Sequence, residues 1–374
     1  NMRSHSANNF SSADLQQVCD ICRENGVKSY LTLNIVLYDE DIEPMKEALQ
    51  AAKAAGITAV IASDMAAITY ARELGIEVHI STQLSISNSQ SLKFYAQYAD
   101  VIVLARELNL GQVKEIKATI DREQIKGPSG RLLEIEMFCH GALCMAISGK
   151  CYLSLHEYGA SANRGSCYQL CRRGYSVTDL ETGNTLEIDN KYIMSPKDLC
   201  TIEFMDKIID AGVTVFKIEG RARSAEYVKT VARCYRDAAD AVLAGKYTPE
   251  YASELKERLS TVFNRGFWDG YYQGARLGEW SEVYGNKATK SKKYIGKVTN
   301  YFSNIGVAEI LIETGSISVG DNVIIIGPST GVVEVKVEEI RVDLKRTESA
   351  VKGEYCSIAV PEKLRRSDKL YLFQ

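Results

Sequence analysis

The sequence predicts an α/β protein whose main domain is a TIM-like (β/α) barrel, and three observations support this prediction. Stretches with helical periodicity alternate with short β-branched runs from residue 12 to residue 218. Most of these runs are apolar on both faces, as in a parallel sheet that helices cover on both sides. Polar side chains follow the runs directly, at the end of each strand where a (β/α)8 barrel has its active site.

Six strands separated by helices are predicted in this part of the chain. The strands are residues 30–36, 59–62, 78–81, 101–105, 132–138 and 215–218. The helices are residues 12–25, 41–55, 65–74, 87–97, 110–120 and 199–211. Ser12 fits the N-cap of the first helix, and Gly26 and Gly56 follow the ends of the first and second helices. Six such units fit either an open sheet or most of an eight-stranded barrel.

The polar residues after the strands favour the barrel over the open sheet. They are Asn34, Ser63, Asp64, Gln83, Arg106, Glu107, Glu136, Glu219 and Arg221. Side chains that converge from every strand are typical of a barrel's active-site face. Two of the eight units would then precede Asn1, so we expect a barrel truncated at its N-terminus by about two βα units.

The C-terminal part of the chain changes from helical to strand periodicity. Two helices are expected at residues 225–245 and 249–263, and a lysine-rich joint at residues 287–293 follows them. Six short strands are predicted at residues 294–300, 306–312, 322–326, 331–341, 355–360 and 369–373. Short strands joined by Gly-containing turns are typical of a small antiparallel β-barrel. We therefore predict two domains, at residues 1–285 and 286–374.

Composition limits the partners and the compartment. The chain has 48 acidic and 45 basic residues, a formal charge of −3, which argues against a surface that binds nucleic acid over its whole extent. A local basic patch remains compatible with this charge. No run of ~18 apolar residues is present, so no membrane contact is expected. No targeting segment is recognisable, and we expect a cytoplasmic protein.

Six of the ten cysteines are concentrated in one stretch of about sixty residues. They are Cys139, Cys144, Cys151, Cys167, Cys171 and Cys200. Clustered thiols in a large chain indicate a metal or reactive site rather than a disulfide framework. Zinc sites favour close pairs, whereas spacings of 7, 16 and 33 residues between Cys144, Cys151, Cys167 and Cys200 suit a four-iron cluster better. The alternative is that several of these cysteines are buried small apolar residues.

The segment EMFCHGALCMAISGKCYLS, residues 136–154, resembles the signature of the collagenase-like peptidase U32 family. The matching positions are Glu136, Phe138, Gly141, Ala142, Leu143, Cys144, Gly149, Cys151, Leu153 and Ser154. Further segments that resemble the family are NNFS at residues 8–11, RGSCYQLCR at 164–172, KDLC at 197–200, KIEGR at 217–221 and NRGF at 264–267. The resemblance extends over essentially the whole chain.

The resemblance implies one of two activities. Some members of the family are named as proteases, whereas others resemble oxygen-independent hydroxylation proteins that carry a [4Fe–4S] cluster. The latter act on tRNA wobble uridine, ribosomal RNA or a quinone precursor, and the tRNA branch is thought to depend on prephenate. By this resemblance the cluster ligands are Cys144, Cys151, Cys167 and Cys200, with Cys171 as the rival of Cys167.

Proteolysis finds little support among the residues themselves. The four histidines are His5, His79, His140 and His156, and none lies in a His-Glu-x-x-His motif. No Gly-x-Ser-x-Gly elbow between a strand and a helix is predicted. Cys139 and His140 are adjacent, and adjacent side chains of an extended chain point to opposite faces, so they make a poor catalytic dyad. The residues therefore favour redox chemistry.

Several charged residues are candidates for catalysis or for substrate binding. Glu136, His140 and Glu219 are candidate catalytic or positioning groups, although strand-end carboxylates also form structural ion pairs with arginines. The cationic candidates for binding a phosphate or a small dianion are Arg106, Arg164, Arg172, Lys217 and Arg221. The alternative for the cations is a solvated face of mixed charge.

The sequence and the resemblance together predict an iron–sulfur-dependent enzyme that hydroxylates C5 of the tRNA wobble uridine. tRNA is the expected partner, with prephenate or a similar dianion as co-substrate. Basic residues in the late loops of the C-terminal domain, such as Lys345, Arg346 and Lys363, are compatible with RNA contact. A peptidase is the second hypothesis, and a binding scaffold with a structural cluster is the third.

Overall fold

The computed structural model describes residues 10–183, 185–186, 194–274, 278–282 and 285–373. His5 and the start of the 8–11 segment lie outside these residues. The chain divides into two compact units. The first comprises Asn1–Ala222, Tyr235–Lys256 and Asn264–Asn286, and the second comprises Arg223–Cys234, Glu257–Phe263 and Lys287–Gln374. The sequence-based boundary after residue 285 assigns residues 223–234 and 257–263 to the first domain instead, and it stays a prediction.

The first unit contains helices, one sheet with both parallel and antiparallel strand pairs, and a separate pair of short antiparallel strands. Its strands are β1 (Tyr30–Leu33), β2 (Ala59–Ala62), β3 (Glu77–Ile80), β4 (Val101–Val103), β5 (Glu134–Gly141), β6 (Val177–Thr178), β7 (Thr185–Leu186), β8 (Asp198–Cys200), β9 (Val215–Ile218) and β10 (Phe267–Trp268). Its helices are α1 (Leu15–Glu24), α2 (Ile42–Ala55), α3 (Met65–Glu73), α4 (Ser89–Ala96), α5 (Leu110–Glu123), α6 (Leu153–Tyr158) and α7 (Met205–Asp210). Two further helices, α8 (Ala225–Leu243) and α9 (Pro249–Ser260), have residues in both units.

The six predicted strands form a continuous parallel arrangement in the order β1-β2-β3-β4-β5-β9. Strands β2 and β4 are buried at every residue, because helices cover the sheet. Local signals fix the helix starts: the Asp64 side chain accepts a hydrogen bond from the N–H of Ala66, and Asn109 and Gln112 form a capping box. The α/β class is confirmed, whereas closure into a barrel stays a prediction.

One predicted helix was wrong in its first half. Residues 199–211 were expected to be helical, but Asp198–Cys200 forms strand β8 and only Met205–Asp210 is an α-helix. Strand β8 pairs antiparallel with the end of β5, where Cys200 lies opposite His140, and parallel with β10. This pairing is long-range, so local periodicity did not reveal it.

Strand β5 is irregular near its carboxyl end. Its register against β9 shifts between Phe138 and His140, which is the mark of a β-bulge. Gly141, the next residue, has a φ of +105°, and a Cβ there would lie 2.4 Å from the carbonyl oxygen of Glu219. Only glycine combines this backbone conformation with this close approach. The bulge and the glycine together redirect the chain from β5 into the cysteine-rich segment.

The second unit is an antiparallel β-structure. Its strands are β11 (Lys292–Phe302), β12 (Val307–Ile312), β13 (Ser316–Ser318), β14 (Asn322–Gly327), β15 (Gly331–Lys336), β16 (Ile340–Val342), β17 (Lys345–Thr347), β18 (Ser349–Val351), β19 (Tyr355–Ala359) and β20 (Lys369–Phe373). Eight of them form one sheet in the order β15-β14-β20-β11-β12-β19-β16-β17, and β13 pairs with β18. Alternate residues such as Ile310, Ile312 and Leu370 are completely buried in a common core. None of the described helices is long and apolar enough to cross a lipid bilayer.

We expect Gly141→Ala to lower the free energy of unfolding by about 3 kcal/mol, because it adds a backbone clash to the strain of a positive φ. Gly130→Ala is the matched control, since Gly130 also has a positive φ, +81°, but no atom lies within 4 Å of the position that a Cβ would occupy there. Gly130→Ala should lower the free energy of unfolding by only about 1 kcal/mol. Urea unfolding followed by circular dichroism measures the free energy of unfolding of both variants. Equal losses of stability would contradict the close approach of Gly141 to the Glu219 carbonyl oxygen.

Candidate functional site

A cavity of about 160 Å³ lies at the carboxyl ends of the parallel strands in the first unit. Its walls come from strands β1, β2, β5 and β9 and from the loops that follow β3, β4 and β5. The lining residues are Thr32, Asn34, Ile61, Ser81, Thr82, Gln83, Arg106, Phe138, Ala142, Leu143, Cys144, Ser148, Cys167, Gln169, Cys171, Arg172, Lys217 and Glu219. Of the nine strand-end residues, Asn34, Gln83, Arg106 and Glu219 line this cavity, whereas Ser63, Asp64, Glu107, Glu136 and Arg221 are not among its lining residues.

Two cations lie close to one aromatic ring in this cavity. The guanidinium carbon of Arg106 lies 3.6 Å from the ring centroid of Phe138, and Nζ of Lys217 lies 5.4 Å from it. Nε of Arg106 is buried and has no hydrogen-bond partner among the residues that the structure describes. A planar cation on an apolar surface, with a buried donor to satisfy, suits an anionic or polar ligand.

Lys217 is held in place by a buried carboxylate. Its Nζ lies 2.6 Å from Oε1 of Glu136, whose side chain is only 4% exposed. Oε2 of Glu136 faces Nδ1 of His79 at 3.5 Å, and His79 is also buried. Burial by itself raises the pKa of Glu136, but the His79 ring and the Lys217 ammonium outweigh it, so this pKa lies below its usual value. Glu136 is therefore an anion that orients Lys217 towards the cavity.

This ion pair continues into a chain of polar contacts away from the cavity. Nε2 of His79 lies 3.3 Å from Oε1 of Glu77, and Oε2 of Glu77 lies 3.0 Å from the guanidinium of Arg131. The ring of Tyr30 packs edge-on against His79 at 4.7 Å. Burial, followed by the negative charge of Glu77, raises the pKa of Tyr30, so the phenol remains neutral. The charges near Glu136 are thus balanced by partners on neighbouring strands.

Three thiols line the same cavity, namely those of Cys144, Cys167 and Cys171. Burial raises the pKa of Cys171 to about 11; the nearby Arg172 lowers it, and the thiols of Cys144, Cys167 and Cys151 raise it. The thiols of Cys144, Cys151 and Cys167 are therefore each close enough to Cys171 to affect its ionisation. None of these four described cysteines is in a disulfide, and Cys144 is exposed.

Cys200 lies apart from this group, although the resemblance implies that it is a cluster ligand together with Cys144, Cys151 and Cys167. It is buried in strand β8, and the Tyr235 hydroxyl lies 3.9 Å from its Sγ. It lines a different cavity, together with Glu203, Lys256 and Trp268. The geometry thus brings Cys171, rather than Cys200, to the cavity that holds Cys144 and Cys167.

Among the described residues, no group of three or more His, Cys, Asp or Glu side chains is arranged to hold a single metal ion. In a four-iron cluster each thiolate binds a different iron atom, so its ligands stand farther apart than those of one ion. The four thiols near the cavity fit such a cluster in number and in softness. A mononuclear zinc site does not fit them equally well.

Other candidate residues are engaged elsewhere or only partly face the cavity. Arg172 lines the cavity, but its guanidinium donates to Ser195 and to the carbonyl oxygens of Leu143 and Pro196. Its main effect is therefore to fix the cysteine-rich loops. The backbone N–H of Arg221 donates to Oε1 of Glu219 at 3.1 Å, and Glu219 lines the cavity.

Arg164 and His140 are not among the lining residues. The Arg164 guanidinium donates to Oδ2 of Asp41 at 2.5 Å and stacks on Tyr38. His140 is buried, with Nδ1 3.3 Å from the Tyr235 hydroxyl. The bulge after Phe138 breaks the alternation of β5, so His140 no longer shares the cavity face with Phe138.

Several polar lining residues are not predicted from the sequence. Thr32, Ser148 and Gln169 are among them, whereas Gln83 and Asn34 are predicted only as strand-end residues. The Asn34 side chain donates to Oγ of Ser81 at 3.0 Å, which links two strand ends. Thr32 could have been found from alternation along β1, because Thr32 and Asn34 are two residues apart. Ser148 and Gln169 lie in irregular loops and carry no comparable signal.

The family model described as peptidase family U32 matches residues 1–282. A collagenase of Porphyromonas gingivalis is 60% identical over 373 residues, which cover 100% of this chain and 90% of that protein. The tRNA hydroxylation protein P1 of Bacillus subtilis is 33% identical over 330 residues, covering 86% of this chain and 75% of that protein. The 23S rRNA 5-hydroxycytidine C2501 synthase of Escherichia coli is 34% identical over 332 residues, covering 84% of this chain and 47% of that protein.

We expect Lys217→Met to destabilise the fold by about 3–5 kcal/mol at pH 7, because it leaves the Glu136 carboxylate buried without its cation. Lys197→Met is the matched control. Lys197 is also 22% exposed and also lies 2.6 Å from a carboxylate, but its partner Glu279 is 49% exposed. Lys197→Met should lower the free energy of unfolding by at most about 1 kcal/mol.

The pH dependence of this loss distinguishes the buried pair from a simple packing defect. In the native protein Glu136 has a lowered pKa, so its contribution is present above its unfolded pKa and is lost as pH falls through the folded pKa. In Lys217→Met, burial without the ammonium should raise the pKa of Glu136, so the penalty should shrink as pH falls towards 4. Urea unfolding at several pH values measures this, and a penalty independent of pH would contradict the assignment.

Proposed function

The chain belongs to peptidase family U32, as its motif at residues 136–154 predicts, and on this basis we propose that it is an iron–sulfur-dependent RNA-modifying enzyme. In this proposal it hydroxylates C5 of the tRNA wobble uridine in the cytoplasm. The observation that carries the proposal is the meeting of three cysteine thiols with the cations Arg106 and Lys217 in one cavity.

The proposed ligands of a [4Fe–4S] cluster are Cys144, Cys151, Cys167 and Cys171. Three of these thiols line one cavity, Cys151 is close enough to Cys171 to affect its ionisation, and thiolates are soft ligands, which together support this set. Cys200 is not included, because it lines a separate cavity. When bound, such a cluster supplies one-electron transfer at the cavity wall.

The remaining lining residues would bind and orient the reactants. Arg106 and Lys217 provide the positive charge that a substrate phosphate, or a dianion such as prephenate, requires. Phe138 offers an apolar surface beneath them, on which a planar ring can lie. Glu219, Gln83 and Gln169 bring carboxylate and amide groups to the same cavity, and such groups hydrogen-bond to the edge of an unpaired base.

RNA is favoured as the substrate by the relatives whose names state an RNA reaction. One of these carries out tRNA hydroxylation and another synthesises 5-hydroxycytidine in ribosomal RNA, according to their names. Both names describe hydroxylation of an RNA, and the second one names a hydroxylated cytidine. A cavity large enough for one small ring, next to a candidate redox centre, is compatible with this class of reaction.

Peptidase activity is the second candidate, because the relative with 60% identity is named a collagenase. The site offers little support for it. Burial raises the pKa of the Cys139 thiol well above its usual value, which makes this thiol a poor nucleophile. Nδ1 of the neighbouring His140 is within hydrogen-bond distance of the Tyr235 hydroxyl. Neither His79 nor His140 is among the residues that line the cavity with the exposed thiol of Cys144.

We expect anaerobically purified protein to be brown, with iron and sulfide in equal amounts. Cys171→Ala and Cys144→Ala should lose most of the iron, because each removes one ligand. Cys200→Ala and Cys356→Ala are matched controls that remove buried thiols outside the cavity, and both should retain the iron. Iron and sulfide assays with absorption spectroscopy measure the outcome. Loss of iron in Cys200→Ala, with retention in Cys171→Ala, would contradict the proposed ligand set.

The function itself is tested with tRNA nucleosides. A strain lacking the gene should lose 5-hydroxyuridine-derived nucleosides, and the wild-type gene should restore them, whereas the Cys171→Ala gene should not. Mass spectrometry of digested tRNA measures this. Unchanged nucleosides, together with cleavage of denatured collagen by the purified protein, would favour the peptidase. Unchanged nucleosides without cleavage would favour a scaffold with a structural cluster.

A further inference from the structure

Three exposed tyrosines lie in the cysteine-rich segment that borders the cavity. Tyr152, Tyr158 and Tyr168 are 70%, 49% and 56% exposed, respectively. Large aromatic side chains are usually at least partly buried, and several exposed rings in one segment commonly mark a binding surface. Neither the cluster ligands nor the cavity lining accounts for these rings.

Two of the tyrosines are held in a fixed arrangement. The rings of Tyr158 and Tyr168 pack edge to face, with centroids 5.2 Å apart and an interplanar angle of 65°. The guanidinium of Arg173 donates to the Tyr158 hydroxyl at 2.9 Å. The backbone N–H of Tyr168 donates to Oγ of Ser154 at 3.0 Å, and Ser154 is buried. The rings are therefore positioned before any ligand binds.

Tyr168 connects this aromatic surface with the cavity. Its neighbours in the chain, Cys167 and Gln169, both line the cavity. Gln169 has a φ of +53°, so the backbone turns sharply next to Tyr168. The residue between two cavity-lining positions is thus directed to the outside, and its ring lies within one residue of the cavity wall.

We propose that Tyr158, Tyr168 and Arg173 form a platform on which unpaired RNA bases stack beside the nucleotide that enters the cavity. This inference rests on the proposed function and names the part of the RNA that the site recognises: a single-stranded loop rather than a duplex. Enzymes that modify a base need it outside a base-paired stack, and unpaired bases stack readily on aromatic rings and guanidinium groups.

The chemistry of the platform favours RNA over a peptide. Arg173 is a permanent cation, which can pair with the phosphate between stacked bases. Tyrosine offers a flat π face that accepts any base, so it can hold the loop without reading its sequence. A peptide partner would instead require pockets for its side chains, whereas these rings are exposed on the surface.

The test measures binding of a fluorescent anticodon stem-loop RNA to the full chain by anisotropy. We expect Tyr168→Ala to raise the Kd at least about five-fold, in the range of one lost base–aromatic stack. Tyr168→Phe should stay within about two-fold of the wild type, because the ring is retained. Arg173→Ala should weaken binding and reduce its salt dependence, because one phosphate contact is lost.

Phe94→Ala is the matched control for the loss of an exposed ring. Phe94 is 54% exposed, and its ring packs edge to face against Tyr95 at 5.1 Å, on helix α4. This variant should bind the stem-loop as tightly as the wild type. A fully paired duplex of equal length should bind more weakly to the wild type than the stem-loop does, and Tyr168→Ala should not affect duplex binding further.

Each other outcome overturns the inference in a distinguishable way. If the wild type binds the stem-loop and Tyr168→Ala binds it equally well, the platform is wrong while the proposed function stands. If Tyr168→Leu binds as tightly as Tyr168→Phe, the contact is a general apolar one and the stacking platform is wrong. If the wild type binds denatured collagen but no RNA, both the platform and the proposed function are wrong.

Discussion

The ion pair between Lys217 and Glu136 is the constraint on which the site depends. A carboxylate that is only 4% exposed is stable as an anion only when a cation or strong donors compensate for its lost hydration. The pair joins β5 to β9, and its geometry turns the lysine towards the cavity. Phe138 and Arg106 complete the same wall. Part of the positive charge of the cavity therefore comes from Lys217, the cation that the buried Glu136 carboxylate requires.

A second constraint acts where β5 leads into the cysteine-rich segment. The bulge after Phe138 and the positive φ of Gly141 change the direction of the chain within a few residues. From there the chain reaches the loops that hold the thiols, and the Arg172 guanidinium fixes these loops through backbone carbonyl oxygens. The thiols are thus brought to the cavity by irregular backbone, while strands β5 and β9 supply the Glu136–Lys217 ion pair.

This division explains how one site can combine two kinds of chemistry. The carboxylate of Glu136 is held between groups on paired strands, and its lowered pKa keeps it ionised at neutral pH. Cysteines on loops can adjust to the geometry of an inorganic cluster, because loops tolerate small backbone changes better than paired strands do. Tyr158, at the end of α6, and Tyr168 lie in the same cysteine-rich segment, so the surface that would receive RNA is supported by the segment that would bind the cluster.

The sequence by itself determined the α/β class, six of the strands, the strand-end location of the site and the family, because hydrophobic periodicity and the 136–154 motif are local signals. Only the tertiary structure decided which distant residues meet. It separated Cys200 from the other thiols by pairing β8 with β5, and it placed Cys171 at the cavity instead. It also removed His140 and Arg164 from the cavity, through a bulge and an ion pair with Asp41. Long-range pairing and backbone irregularity depend on contacts between segments far apart in the chain, and no local pattern records them.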